Sequence, residues 1–419
     1  MTLMDQEKLI ELIATLQPHQ TLIVEAEGGA GKTWSAMAAL SRLDANARVA
    51  VLAPTHIALN ELKAKLPPDL ACVPRFATTA SFVGRYLERN RQTGKLDNRF
   101  MATSCDYDLI LLDEAANAPS IDISRVLRSA SPIVCLGDRE QLKAVLSTVS
   151  ALWNEDAQWR FLEVGRSFTY VTLEGQRRNA GEILKLAQTC RTKLPSVIES
   201  KGAISVFHST VDFEADFLAN LQSARANGGG LNSYCYLAYK NATVDRVQRL
   251  VRQFVYGSNL PVVGEPVRVN RLVNQATGDR LPTGKLLTVA SVEATNVAVA
   301  GATHAVAKLT FAEIDGSHFC AFPGGATETV YAALRMAAEE RRWDDFNTIE
   351  HTVGEVVNGN VLTVHKAQGR TIPFVWSDDL DIGNRRSMRY VAYSRASERL
   401  ALVAHRPKLD SDLWMFDGY

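Results

Sequence analysis

Cysteine is scarce in this chain and never paired. Its six cysteines, Cys72, Cys105, Cys135, Cys190, Cys235 and Cys320, are scattered through 419 residues with no Cys-x-x-Cys spacing. That excludes zinc-ribbon and disulfide frameworks and leaves small buried thiols in a reducing compartment. No apolar run approaches the ~20 residues a membrane span needs. Met1 to Gln17 reads as a short amphipathic helix with Asp5, Glu7 and Lys8 exposed, not as a secretory leader. Neither sign of charge is in excess, with Lys plus Arg and Asp plus Glu at 46 each. Net charge therefore neither requires nor excludes a nucleic-acid partner, because a groove can be basic on a neutral protein. Hydrophobic content of 46% and charged content of 22% describe a globular chain long enough for several domains.

What the chain does have is Glu25 to Thr33, EAEGGAGKT, between the apolar run Leu22-Ile23-Val24 and a helix-like run beginning at Trp34. A strand that breaks into glycines and restarts as a helix aims backbone N–H groups and a helix N-terminus at one small space. The space suits a polyphosphate, held by Gly28, Gly29, Ala30, Gly31 and the first helical residues up to Trp34. Lys32 would reach the β- and γ-phosphates, and the Thr33 hydroxyl would ligate Mg²⁺. Ala26 stands where the strict loop pattern has its first glycine, a change that costs little if the backbone there keeps a negative φ.

Short apolar runs follow at Arg48–Ala53, Asp108–Leu112 and Pro132–Leu136, each ending in polar residues and separated by helical segments. The pattern predicts an α/β fold with a parallel sheet covered on both faces and ligands at the carboxyl ends of the strands. Asp113-Glu114 lies at such an end. Asp113 can hold Mg²⁺ and Glu114 can polarise an attacking water. Gln141, a few residues past the third strand, is positioned to sense a γ-phosphate. Arg85 to Arg99 is too polar for core and too long for a minimal connection, which predicts a small excursion from the surface.

In the second half, Leu173-Glu-Gly-Gln-Arg-Arg-Asn179 precedes a helical stretch, and Tyr234–Ala238 leads into the helix-like Val244–Val255. Between about Leu260 and Pro323 the pattern becomes short alternating strands, with Leu286–Val292 and Asn296–Val299 read as two of them. These predict a small antiparallel barrel. One charged helix is expected over Tyr331–Phe346, after which the α/β pattern resumes with Asn360–Val364, His365-Lys-Ala-Gln-Gly-Arg370 and Arg389–Ser397.

In series, EAEGGAGKT, LAPTHIALNEL, ATTASF, LILLDEAA, LGDREQL, LEGQRRN, VLTVHKAQG and YVAYSRAS cover nearly the whole chain. The set resembles the superfamily 1 helicases, and in detail the 5′–3′ subclass of RecD-like and Dda-like enzymes. The resemblance implies two RecA-like P-loop domains, with a pin-type excursion in the first and an SH3-like β-barrel plus helix inserted in the second. The expected division is 1–170, with the pin at about 84–104, then 171–257 with 358–419, and 258–357 as the insertion. It implies Gln6 as an adenine contact, and Arg178, with Arg177 beside it as the alternative, and Arg395 as arginines that complete the ATP site. Gln368 and Gly369 would join them at the domain cleft. Pro54, Thr55, His56, Thr79, Ser81, Thr363, His365 and Lys366 would line a single-strand track, and Phe100 is a candidate for the pin residue.

The function implied is an ATP- and Mg²⁺-dependent DNA helicase. It would act as a monomer on single-stranded DNA and on forked or tailed duplex, in the cytoplasm of a bacterial or phage-infected cell, with a single-strand-binding or replisome protein as possible partner. The rival readings are an RNA helicase and an ATP-gated clamp that grips a strand without unwinding. A P-loop kinase or switch GTPase leaves Asp113-Glu114 and the later arginine motifs without a task.

Overall fold

The computed structural model describes residues 2–404 apart from 28–29, 90–95, 104–105, 139, 141–166, 174–180, 196, 275–276 and 323–325. Two parallel sheets form the two lobes. The first has seven strands in the order Thr2–Met4, Ser167–Leu173, Gln20–Glu25, Ile133–Gly137, Leu109–Leu112, Val49–Ala53 and Arg75–Thr78. All its neighbours are parallel. Every residue of Val49–Ala53, Leu109–Leu112 and Ile133–Gly137 is buried, as strands covered on both faces must be. Ser167–Leu173 straddles the division expected at 170.

The second sheet runs Ile204–Phe207, Ala396–Val403, Ile372–Ser377, Tyr234–Ala238 and Val361–Thr363, again all parallel. One of its faces is held by Phe213, Phe217, Tyr236 and Trp376, with ring centroids 5.3–5.4 Å apart. Such tilted pairs add about 0.5–1.5 kcal/mol each beyond the area they bury.

A closed barrel of five strands, from Pro266–Arg271 through Leu286–Val299, Ala302–Phe311 and Ile314–Ala321 to Val353–Asn358, is inserted in the second lobe. The chain leaves and rejoins the lobe side by side. Asn358 Nδ2 donates to Glu265 Oε1 at 3.0 Å, and the Gly359 N–H donates to the Pro266 carbonyl at 2.8 Å. A side chain at Gly359 would meet that carbonyl at 2.9 Å, so the crossing needs glycine.

Several local expectations change. Thr2–Met4 is an edge strand, and the helix covers only Gln6–Ala14. Leu286–Val299 is one strand, because its exposed outer half continues the ladder to Ala302–Phe311 through a tight turn at Ala300-Gly301, both with positive φ. The single charged helix is two, Thr327–Glu339 and Trp343–Thr352, parted at Arg341 with φ 57°. The excursion is a hairpin of Arg85–Arg89 and Leu96–Phe100. Among the described residues the cysteines are buried, and no helix is long and apolar enough to cross a membrane.

Candidate nucleotide site and nucleic-acid cleft

The strand Gln20–Glu25 ends at the loop, and the helix Lys32–Leu40 starts from Gly31, which has φ 89°. A Cβ at Gly31 would stand 2.2 Å from Gln6 Nε2. That same nitrogen donates to the Ala30 carbonyl at 3.2 Å, so Gln6 buttresses the loop. Ala26 is buried and is not among the residues with positive φ, which is why alanine serves there. Its carbonyl accepts from Lys32 Nζ at 3.4 Å. Trp34, on the first helical turn, is 48% exposed. Gly28, Gly29, Gln141, Arg177 and Arg178 lie outside the described residues.

From the end of Leu109–Leu112, two strands across the sheet, Asp113 Oδ2 accepts from Thr33 Oγ1 at 3.0 Å. A hydroxyl and a carboxylate on one point are the donor set that Mg²⁺ takes beside phosphates. Glu114 follows with φ 51°, and its Oε2 accepts from Asn117 Nδ2 at 2.6 Å. Burial, and then the Asp113 charge, push the Glu114 carboxyl above its ordinary pKa, against the pull of Arg395 and Lys32. Arg395 therefore acts on the same carboxylate from the second lobe. It is buried, with Nη1 on the Arg370 carbonyl at 3.2 Å and Nη2 on Ser394 Oγ at 2.8 Å. Gly369, also from the second lobe, would carry a Cβ 3.6 Å from Glu114 Oε1.

On its far side Glu114 faces a cleft of about 520 Å³ between the lobes. Pro54, Thr55, His56, Thr78 and Asn117 line it from the first lobe, and His365, Lys366 and Gln368 from the second. Thr55 caps the helix His56–Lys63 by accepting from the Ala58 N–H at 3.2 Å. Thr363 does the same for Val364–Ala367 and is buried. Burial lowers the pKa of His56, helped by Lys63, and of His365, so both rings favour the neutral form. The cleft thus offers hydroxyls, amides and neutral imidazoles beside the single ammonium of Lys366, which donates to Asn270 at 3.1 Å.

Three expected track residues lie outside this lining, the buried cap Thr363 among them. Thr79 is 1% exposed and spends its hydroxyl on Asp122 Oδ2 at 3.2 Å, leaving Thr78 to face the cleft. Ser81 is exposed on the same short helix, Thr79–Phe82, outside the cleft lining. Phe100 is at the base of the hairpin, paired with Arg85 and covered by Arg125 at 3.5 Å, so it cannot be the tip.

The residues missed in the sequence are Asn117, Thr78 and the barrel turn. Asn117 had a signal, three residues past Glu114. Thr283 had none, because it reaches the cleft from the barrel. The neighbouring Gly284, φ 83°, lies against Ile57 of the first lobe so closely that a Cβ would be 2.3 Å from Cδ1.

Residues 3–153 match the AAA domain family model. No curated protein sequence matches the chain. Among solved structures it is similar to Pif1 helicase from Bacteroides in complex with ADP-AlF3 and ssDNA, at 16% identity and TM-score 0.55 over 96% of this chain and 92% of that one. Bacteroides Pif1 bound to ssDNA matches at 16% and 0.53 over 98% and 95%. Pif1 helicase from Candida albicans matches at 15% and 0.52 over 96% and 94%. At these identities the likeness establishes the fold alone, a two-lobed α/β architecture matched along nearly the whole chain. The resemblance carried by the motifs therefore extends to the fold, with Pif1 helicases as its structural counterparts.

Proposed function

We propose that the chain is an ATP-driven superfamily 1 helicase that moves 5′ to 3′ on single-stranded DNA and unwinds tailed or forked duplex. One observation supports this above the others: Glu114 belongs both to the phosphate-loop site, through Asp113 and Thr33, and to the wall of the inter-lobe cleft. Chemistry on one side is then one residue from the grip on the other.

In this reading Lys32 leaves the Ala26 carbonyl for the phosphates, and Glu114 orients the attacking water. Thr33 and Asp113 would hold Mg²⁺, which when bound neutralises phosphate charge. Gln141, Arg178 and Arg395 answer the γ-phosphate, so the lobes close while it is present and open once it leaves. Gln6, Gln368 and Gly369 border the nucleotide. Pro54, Thr55, His56, Thr78, His365 and Lys366 hold the strand through its backbone, without reading bases. The Arg85–Phe100 hairpin parts the duplex.

The test is strand displacement from duplexes with a 5′ or a 3′ tail, alongside ATPase assays with DNA and RNA. Displacement from the 5′-tailed duplex with DNA-stimulated turnover is expected, and Lys32→Ala should abolish turnover while retaining strand binding. ATPase without displacement would support a clamp, and stimulation by RNA alone an RNA helicase.

A further inference from the structure

The lobes also meet on the edge of the nucleotide site. The helix Glu182–Thr192 of the second lobe carries Gln188 and Arg191 three residues apart and so on one face. Gln188 Nε2 donates to Glu27 Oε2 at 2.9 Å. Arg191 lies against three carboxylates of the first lobe. Its Nη2 donates to Asp138 Oδ1 at 3.3 Å and is 3.8 Å from Glu25 Oε1, and its Nη1 is 3.6 Å from Glu27 Oε1. The Asp138 side chain is fully buried, and its other oxygen accepts from the Tyr390 hydroxyl at 2.6 Å. Arg386 joins by donating to Glu140 Oε2 at 2.7 Å and to the Arg191 and Thr192 carbonyls at 2.7 and 2.9 Å.

Both partners of this cluster belong to elements that matter for turnover. On the first lobe, Glu25 and Glu27 bracket Ala26, whose carbonyl holds Lys32. Asp138 follows the strand whose Gly137 carbonyl accepts from the Ala26 N–H at 3.1 Å. On the second lobe, Arg386 and Tyr390 are on the helix that ends in Arg395. One buried carboxylate, Asp138, thus ties the helix Glu182–Thr192, through Arg191, and the helix that ends in Arg395, through Tyr390, to the strand beside the phosphate loop. A solvent-facing ion pair would do little of this.

We infer that Arg191 is a positioning residue for ATP turnover. By holding Asp138, Glu25 and Glu27 it docks the helix Glu182–Thr192 on the first lobe and, through Asp138–Tyr390 and the Arg386 contacts, sets where the helix ending in Arg395 stands. It acts through Arg395 and touches no nucleotide. The inference rests on the helicase reading.

The test measures strand-stimulated ATPase, affinity for ADP and for a non-hydrolysable ATP analogue, and thermal stability in Arg191→Gln and Arg191→Lys. A mispositioned arginine predicts a fall in kcat of roughly tenfold to a hundredfold in R191Q. ADP affinity should be retained, preference for the ATP analogue lost, and function partly rescued in R191K. In an Arg395→Ala background R191Q should cost nothing further, because the group it positions is gone. An unchanged kcat, a full additional loss in that background, or a parallel collapse of ADP binding and stability in both variants overturns the inference. A wild type with no strand-stimulated turnover refutes the helicase reading instead, and the analogue-to-ADP ratio in R191Q still decides whether Arg191 positions the γ-phosphate contacts.

Discussion

Removing the Asp122 carboxylate should separate unwinding from ATP hydrolysis. Its side chain is fully buried and accepts from Arg85 Nε at 2.6 Å, Arg85 Nη2 at 2.9 Å and Thr79 Oγ1 at 3.2 Å. Arg85 is the first residue of the hairpin, so this bidentate pair fixes the hairpin on the helix Ser120–Val126. Deleting one partner of a buried pair costs about 3–5 kcal/mol. The Arg85 side chain keeps 19% exposure, so water relieves part of the loss and the low end, about 3 kcal/mol, applies. That shifts the balance between docked and undocked hairpin by about a hundredfold. Because neither Arg85 nor Asp122 lines the cleft or the nucleotide site, Asp122→Ala should retain most DNA-stimulated ATPase while losing most strand displacement from a 5′-tailed duplex. Asp122→Asn, which keeps an acceptor, should fall between. ATPase and displacement falling in equal proportion, or displacement left intact, would refute the reasoning.

The remaining predictions concern the loop, the base and the cleft. A general base works ionised, so turnover declines as pH falls through the Glu114 pKa. Burial beside Asp113 raises that pKa, so the acid limb of kcat should lie above the ~4.3 of a free glutamate and vanish in Glu114→Gln. A limb at the ordinary value would count against the assignment. Gly31→Ala forces a side chain into φ 89° and against Gln6, so ATP KM should rise by an amount equal to or above the ~1–2 kcal/mol of left-handed strain, as steady-state kinetics would record. Gly284→Ala puts a Cβ against Ile57 and pushes the barrel turn off the first lobe, so single-strand affinity should drop, measured by fluorescence anisotropy, with basal ATPase unchanged.

The lobes were legible because a parallel strand buried on both faces is a contiguous apolar run, and Val49–Ala53, Leu109–Leu112 and Ile133–Gly137 announce themselves. The loop and Asp113-Glu114 were legible because phosphate and metal chemistry needs particular residues at short spacing. What could not be read depended on the third dimension. Thr78 and Thr79 are chemically alike, and only the turn of the chain decides which hydroxyl meets Asp122 and which the cleft. Arg191 is one charge among many in the sequence, and its carboxylates lie more than fifty residues away. The helix break at Arg341 has no glycine or proline to announce it. Phe100 drew notice as an aromatic near a pin, yet the strand pairing assigns it to the base.

The narrow neck between Glu265-Pro266 and Asn358-Gly359 has an evolutionary consequence. Because the chain departs and returns through adjacent backbone atoms, the intervening ninety or so residues are held by their ends, and apart from the contacts at Asn270 and Thr283-Gly284 the lobes make few demands on them. Such a cassette can lengthen, shrink or be exchanged between lineages while the two lobes beneath it are inherited unchanged. Divergence should therefore concentrate beyond the neck and stop abruptly at Gly359, the one position where the junction tolerates no side chain.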